Sequence, residues 1–291
     1  MQFSSILLSS VLWLAACHSS GQPETPAKLN DVARLVSVGT AITETIFALG
    51  AGAQLVGVDD GSSNWLPEAA KLPRVGSRNN LSAEGLLSLK PTLVLLSADA
   101  GPPTISDQLK GAGVPVLSIS ANYSVDAVKE KVRLIARTLG REAKGEELVN
   151  SIDTDLKRAA ELLTRARAKP KVMFVSRGPN VPNANMSGTG TTIDTMITLA
   201  GGVNPITQFQ GFREMTDEAV VAAQPDAILI TLRAFERSGG VEGVLKFPGI
   251  ALTPAGKARR IVPVSDMYFL GFGPGMGRAV LELIPKLHPE L

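Results

Sequence analysis

Cysteine occurs once in the 291 residues, at position 17, and histidine twice, at 18 and 288. A single cysteine excludes an intrachain disulfide framework and any CxxC zinc or redox site. Two histidines near the chain ends leave no material for a histidine-rich transition-metal site or a Ser-His-Asp triad. Tyrosine is also scarce, at two positions. Neither charge sign dominates: 29 basic against 27 acidic residues give +2, with no basic run. The concentrated basic face of a nucleic-acid binder is therefore missing. No base–nucleophile pair or metal cluster stands out, which speaks against a hydrolytic or redox enzyme. Apolar material is plentiful, at 44% hydrophobic against 19% charged. That supports a sizeable core and excludes disorder as the main state. The length suits one large domain or two lobes.

Residues 1–16 read MQFSSILLSSVLWLAA, with an apolar stretch Ile6–Ala16. It is too short to span a bilayer as a mature helix and fits the apolar region of a signal peptide. Leu14-Ala15-Ala16-Cys17 resembles the bacterial lipobox, in which small residues precede a cysteine that is lipidated and becomes the new N-terminus. The only cysteine of the chain falls there. Residues 1–17 are thus expected to be a lipoprotein signal ending at a lipidated Cys17. Residues 18–31, polar and proline-containing, are expected to form a tether. An acylated Cys17 would hold the protein at a membrane.

The remainder contains two similar halves. Leu81–Leu96 (LSAEGLLSLKPTLVLL) aligns without gaps to Met215–Ile230 (MTDEAVVAAQPDAILI). Both carry Ser/Thr at the second position, Glu at the fourth, Pro at the eleventh and then an apolar run. Ser82 and Thr216 are N-cap candidates for a short helix. Pro91 and Pro225 end that helix and lead into a buried strand. Glu44–Gly52 (ETIFALGAG) likewise parallels Asp194–Gly202 (DTMITLAGG), an apolar helix closing on glycine. Further strands are expected at Arg34–Val38, Gln54–Val58, Val114–Ile119, Lys171–Val175 and Arg260–Val264. Strands alternating with helices imply parallel sheets covered by helices. Ser124–Ala168 reads as helical except near Gly140, and Arg141–Ala168 as one helix of about 28 residues, roughly 40 Å long. The expected fold class is α/β: two Rossmann-like lobes with parallel sheets, an N-terminal lobe over 32–123 and a C-terminal lobe over 170–291. A single long α-helix within the helical linker 124–169 joins them.

Two such lobes enclose a cleft, where small ligands bind. An export signal, a lipid anchor, two lobes and a stiff helix describe a substrate-binding protein of an ABC importer. Several segments carry a family resemblance: RLVSVGTAITETIFALGAGAQLVGVD, LSAEGLLSLKPTLVL, GTTIDTMITLAGG, GGVEGVLKFPGIALTPAGKARRIVPV and LGFGPGMGRAV. Over roughly residues 33–285 the chain resembles the haem-binding proteins of bacterial haem importers. The wider family includes cobalamin and ferric-siderophore binders. The resemblance implies haem as transported ligand, no catalytic cofactor, an ABC permease as partner, and a periplasmic or cell-surface location. A corrinoid or ferric-siderophore cargo, or a surface lipoprotein without a transport role, are the alternatives.

In that family an axial tyrosine follows the second strand, where this chain has Asn64 and Trp65. A second tyrosine often follows the Val-Gly at 75–76, where this chain has Ser77. Haem iron takes Tyr, His, Met or Cys donors, so the remaining candidates are Tyr123, Tyr268 and Met186. Tyr123 and Tyr268 follow the last strands of their lobes, on the side that faces ligand clefts in open α/β sheets. Met186 lies in a Gly/Asn-rich loop. Trp65 offers a flat apolar face that would stack on a tetrapyrrole. Arg233 matches a family position resembling a propionate contact, and its fork geometry suits carboxylates. Arg78, Arg177 and Arg213 are further cations in expected cleft-side loops. Glu44 and its counterpart Asp194 head equivalent helices. The resemblance implies rim acids that dock onto permease arginines; helix-dipole stabilisation is the plain reading. Gly271–Gly275 lacks the ending of a phosphate loop and reads as a turn into a final helix over Arg278–Leu287.

Overall fold

The computed structural model describes residues 33–177 and 183–291. The expected export signal, Cys17 and the expected tether lie outside the described residues. The N-terminal lobe runs β1 (Leu35–Val38), α1 (Thr40–Ala48), β2 (Leu55–Val58), α2 (Asp60–Trp65), β3 (Gly76–Ser77), β4 (Asn80–Leu81), α3 (Ala83–Ser88), β5 (Leu93–Ser97), α4 (Ile105–Gly111) and β6 (Val116–Ile119). Its main sheet has the order β2-β1-β5-β6 and is parallel throughout. β1 and β5 are fully buried runs, as central strands of a two-faced parallel sheet must be.

Two helices follow, α5 (Val125–Thr138) and α6 (Glu142–Leu163), separated at Gly140. α6 is the connecting helix. At 22 residues it spans about 33 Å, shorter than expected because the chain leaves helical geometry at Leu163 instead of Ala168. The two helices pack along both lobes. Ile135, Ala136 and Leu139 of α5 join the N-terminal core, while Val128 of α5 and Ile152 and Ala159 of α6 join the C-terminal one. A helix layer shared between two cores resists hinge motion more than a loop would.

The C-terminal lobe runs β7 (Val172–Ser176), β8 (Asn185–Ser187), α7 (Thr192–Leu199), β9 (Phe212–Glu214), α8 (Asp217–Ala223), β10 (Ala227–Thr231), α9 (Leu232–Arg237), α10 (Gly240–Val244), α11 (Pro254–Lys257), β11 (Ile261–Val264) and α12 (Met276–Leu287). A π-helical turn, Met267–Gly271, precedes α12. The sheet order is β11-β10-β7-β8-β9. β11, β10 and β7 are parallel, whereas β8 and β9 add an antiparallel edge. This sheet is therefore mixed, not wholly parallel. The stretch between Ser176 and Asn185 is shorter than the dozen or so residues a parallel crossover needs, so β8 returns as a hairpin partner.

The internal repeat is visible in the backbone. Ser82 Oγ accepts from Gly85 N and Thr216 Oγ1 from Ala219 N, at 3.3 and 3.2 Å. The residues before the two prolines, Lys90 and Gln224, both take the left-handed conformation, with φ 49° and 44°. A following proline disfavours the right-handed helical region, so both helices break at the same place. β1, β5 and β6 correspond to β7, β10 and β11 in sheet position, and only the neighbours of β1 and β7 differ.

Candidate functional site

The C-terminal ends of the parallel strands of both lobes face a common cleft. On the N-terminal side its floor is organised by Asp59, which caps α2. The buried carboxylate accepts from Gly39 N at 2.9 Å, Gly61 N at 3.1 Å and Ser62 Oγ at 2.5 Å. Ser62 Oγ and Ser37 Oγ each share a 2.8 Å bond with Thr43 Oγ1. This satisfied polar network fixes the loops after β1 and β2, as buried polar groups require.

A cavity of about 220 Å³ opens above it. Trp65, Ser77, Arg78, Tyr123 and Lys131 line it from the N-terminal lobe, and Leu270 and Gly271 from the C-terminal lobe. A second cavity of about 440 Å³ lies beside Leu232, Arg233, Asp266 and Met267, and Trp65 lines this one as well. The half-buried indole thus borders both spaces. Hydrogen bonds and a ring contact join the lobes around them. Thr195 Oγ1 donates to Tyr123 O at 3.1 Å, and the Tyr123 ring meets Phe272 edge-on at 6.4 Å. Arg233 donates to Asn64 O. Gly275 N donates to Glu44 Oε1 at 2.8 Å.

Of the expected site residues, Trp65, Tyr123, Arg78 and Arg233 come together at the cleft. Arg78 is paired with Asp99 at 3.4 Å, so part of its charge is already engaged. The others do not join them. Met186 is 5% exposed and packs in a C-terminal core with Val175 and Phe209. It borders a separate 590 Å³ cavity that shares no lining residue with the two above. Tyr268 packs against the turn before α12 and borders neither cleft cavity. Burial and the neighbouring Glu44 hold its hydroxyl above the usual phenol value. Arg177 stacks its guanidinium over Phe247, and Arg213 over Phe209; neither borders the cleft cavities.

The largest correction concerns Glu44 and Asp194. Glu44 does not stand on an outer rim, and Asp194 is half-buried. Glu44 is 8% exposed, pressed between α1 and the glycines of the opposite lobe. A Cβ on Gly273 would lie 2.1 Å from Glu44 Oε2, and one on Gly275 2.9 Å from Oε1. Glu44 Oε2 has no hydrogen-bond partner among the described residues. Burial pushes the carboxyl up from 4.5 to about 7, against the pull of the Gly275 amide and Lys131. Asp194 is spent locally, accepting from Gly190 N at 3.2 Å and Asn204 Nδ2 at 3.1 Å. Two halves that face each other bring the starts of α1 and α7 inward, where Glu44 and Thr195 meet the opposite lobe.

Lys131 was not expected from the sequence. Its signal is there: Val128, Lys131, Val132 and Ile135 form one buried stripe on α5, and a cation on an apolar stripe needs a reason. Burial lowers its pKa, while Asp99 and Glu44 oppose that shift.

Two α/β lobes clamped by a helix layer around a polar cleft with one central aromatic define a small-molecule binding protein. The profile described as "Periplasmic binding protein" matches residues 35–266. This chain belongs to that family, whose members bind substrates for transport and are not enzymes. An "Uncharacterized ABC transporter substrate-binding lipoprotein YvrC" of Bacillus subtilis (strain 168) is 32% identical, covering 88% of this chain and 80% of the relative. A "Vitamin B12-binding protein" of Pectobacterium atrosepticum is 26% identical over 68% of this chain and 71% of its own length. Among solved structures, the "Periplasmic heme-binding protein RhuT" from Roseiflexus sp. RS-1 superimposes with TM-score 0.83 at 40% identity, covering 89% of this chain and 99% of the other. The heme-binding protein BhuT, solved with two hemes, gives 0.81 at 38% identity, covering 88% and 98%. The chain is therefore a substrate-binding protein of the ABC-transporter type. No helix among the described residues is long and apolar enough to cross a membrane.

Proposed function

We propose that this protein captures haem between its lobes and delivers it to the permease of an ABC importer. The observation that carries the reading is the position of Trp65, a flat aromatic shared by the two cleft cavities, with Arg78 on one side and Arg233 on the other. A tetrapyrrole has the matching chemistry: a planar apolar body and carboxylate arms. The 40% identity to a heme-binding protein over nearly its whole length supports the same cargo. Tyr123 is the one expected iron donor that borders the cavity, and its hydroxyl has no hydrogen-bond partner among the described residues.

The absence of tyrosine at positions 64–65 and 77 favours a second reading, a corrinoid, whose cobalt arrives already ligated. The 26% identity to a vitamin B12-binding protein is consistent with it. Titration with ferric haem separates the two. Saturable binding with a shifted Soret band is the expected result. No saturable shift, with tight binding of cobalamin instead, would replace haem by the corrinoid.

Docking on the permease falls to a different acidic pair than Glu44 and Asp194. The fourth position of each repeat, Glu84 and Glu218, is exposed in the first turn of α3 and of α8. One such acid on each lobe would set orientation and on-rate at a basic permease face. Cys17 is proposed as the lipid attachment point; the relative YvrC is named as a lipoprotein. Replacing Cys17 by serine is expected to abolish metabolic labelling with palmitate.

A further inference from the structure

The geometry points to Lys131 as a specificity residue that receives an acidic arm of the cargo in the cavity of the N-terminal lobe. This assignment rests on the haem reading and names which group of the cargo enters first. Lys131 rises from the buried stripe of α5, is 8% exposed and lines the cavity beside Ser77, Arg78 and Tyr123. Among the described residues its ammonium makes no hydrogen bond or ion pair. The carboxylates around it are committed elsewhere. Asp99 accepts from Ser97 Oγ at 2.5 Å and pairs with Arg78. Asp59 is saturated by the loop network. Glu44 accepts from the opposite lobe through Oε1 and leaves Oε2 without a partner among the described residues, yet it forms no ion pair with Lys131. No carboxylate at this floor bonds the ammonium, which faces the cavity free to receive an incoming anion.

A buried ammonium without a partner is costly, and an incoming carboxylate removes that cost. The dimensions agree. At about 220 Å³ the cavity is below the roughly 300–1,000 Å³ typical of a site holding a whole drug-sized ligand. It suits one acidic arm, with the planar body outside it against Trp65. Arg78, at the same wall, would be the second donor once its bond to Asp99 is shared.

The test compares two acids with their esters. The purified full chain, wild type and the variants Lys131→Met, Lys131→Gln and Lys131→Arg, is titrated with ferric haem and with metal-free protoporphyrin IX. The dimethyl ester of each is titrated in parallel. Removing one charge-assisted bond is expected to weaken both diacids about 10–100-fold in the Met and Gln variants. Lys131→Arg keeps most of the affinity. The esters bind weakly to every variant and to the same extent. Thermal melts of Lys131→Met at or above the wild-type value verify folding, since the change removes a buried charge. If Lys131→Met fails to fold, the Gln variant and the acid-to-ester ratio of the wild type carry the test. Diacid binding unchanged by the Met and Gln variants, or an equal loss for acid and ester, overturns the role of Lys131 while leaving haem capture intact. A wild type that binds no porphyrin overturns both.

Discussion

Replacing Glu44 by glutamine tests the interlobe contact most directly. The amide keeps an oxygen to accept from Gly275 N, 2.8 Å away in the wild type, and keeps the shape that Gly273 and Gly275 accommodate. Only the ability to ionise is lost. The Glu44 carboxyl is raised from 4.5 to about 7 by burial. The folded protein therefore holds this proton over a range where the unfolded chain has released it. The stabilisation is complete below 4.5 and is lost as the pH rises through 7. One pH step corresponds to about 1.4 kcal/mol, so the full interval amounts to about 3 kcal/mol. Lys131 on α5 and Tyr268 on the π-helical turn are the titratable groups facing the carboxyl. Urea unfolding followed by far-UV circular dichroism, at pH 4.5 and pH 8, measures the effect. The two proteins should be nearly equal at pH 4.5, and Glu44→Gln should be the more stable at pH 8 by up to about 3 kcal/mol. Taking the difference between variants cancels groups that titrate alike in both. A difference that does not change with pH, or an advantage of the variant that shrinks from pH 4.5 to pH 8, would refute the reasoning.

Trp65→Ala should weaken haem binding about tenfold, the scale of one aromatic stacking contact, measured by Soret titration; an unchanged affinity would place the cargo elsewhere. Gly275→Ala adds a methyl 2.3 Å from Tyr268 Cε1 and 2.9 Å from Glu44 Oε1. The backbone there accepts alanine, at φ −77°, so overlap alone should cost about 1–3 kcal/mol, read from a thermal or urea melt. Charge reversal at both Glu84 and Glu218 should abolish haem uptake by cells while purified protein binds haem normally. Equal loss in a Glu44→Gln control with intact haem binding would return docking to the interlobe contact.

Much of the architecture is readable from local chemistry. Alternation of apolar runs with capped helices marks the strands, because burial and hydrogen-bond closure act within a few residues. The repeat between Leu81–Leu96 and Met215–Ile230 is expressed down to matching left-handed residues at Lys90 and Gln224. The antiparallel edge of the second sheet is harder to read, because β8 and β9 are three-residue strands and carry no periodicity. The site is readable in part. Trp65, Tyr123, Arg78 and Arg233 share one property, a place just beyond or near a strand end that opens on the cleft. Met186, Arg177 and Arg213 follow the same loop logic and fail, since β8 folds back against β7 and carries its neighbours to another face. Tyr268 fails because the turn before α12 rotates it onto Gly275.

By itself the amino-acid sequence determined the two α/β lobes, their internal repeat, the helical connection and the placement of an aromatic and cations in loops, all consequences of periodicity and capping along the chain. How the lobes face each other was decided only in three dimensions. That arrangement turned Glu44 from an expected rim acid into a buried acceptor for Gly275, and set Lys131 at the floor of a cavity closed by Leu270 and Gly271. Both outcomes depend on the desolvation of a charged group by residues distant in the chain. Desolvation depends on everything that surrounds the group, and no local pattern encodes that.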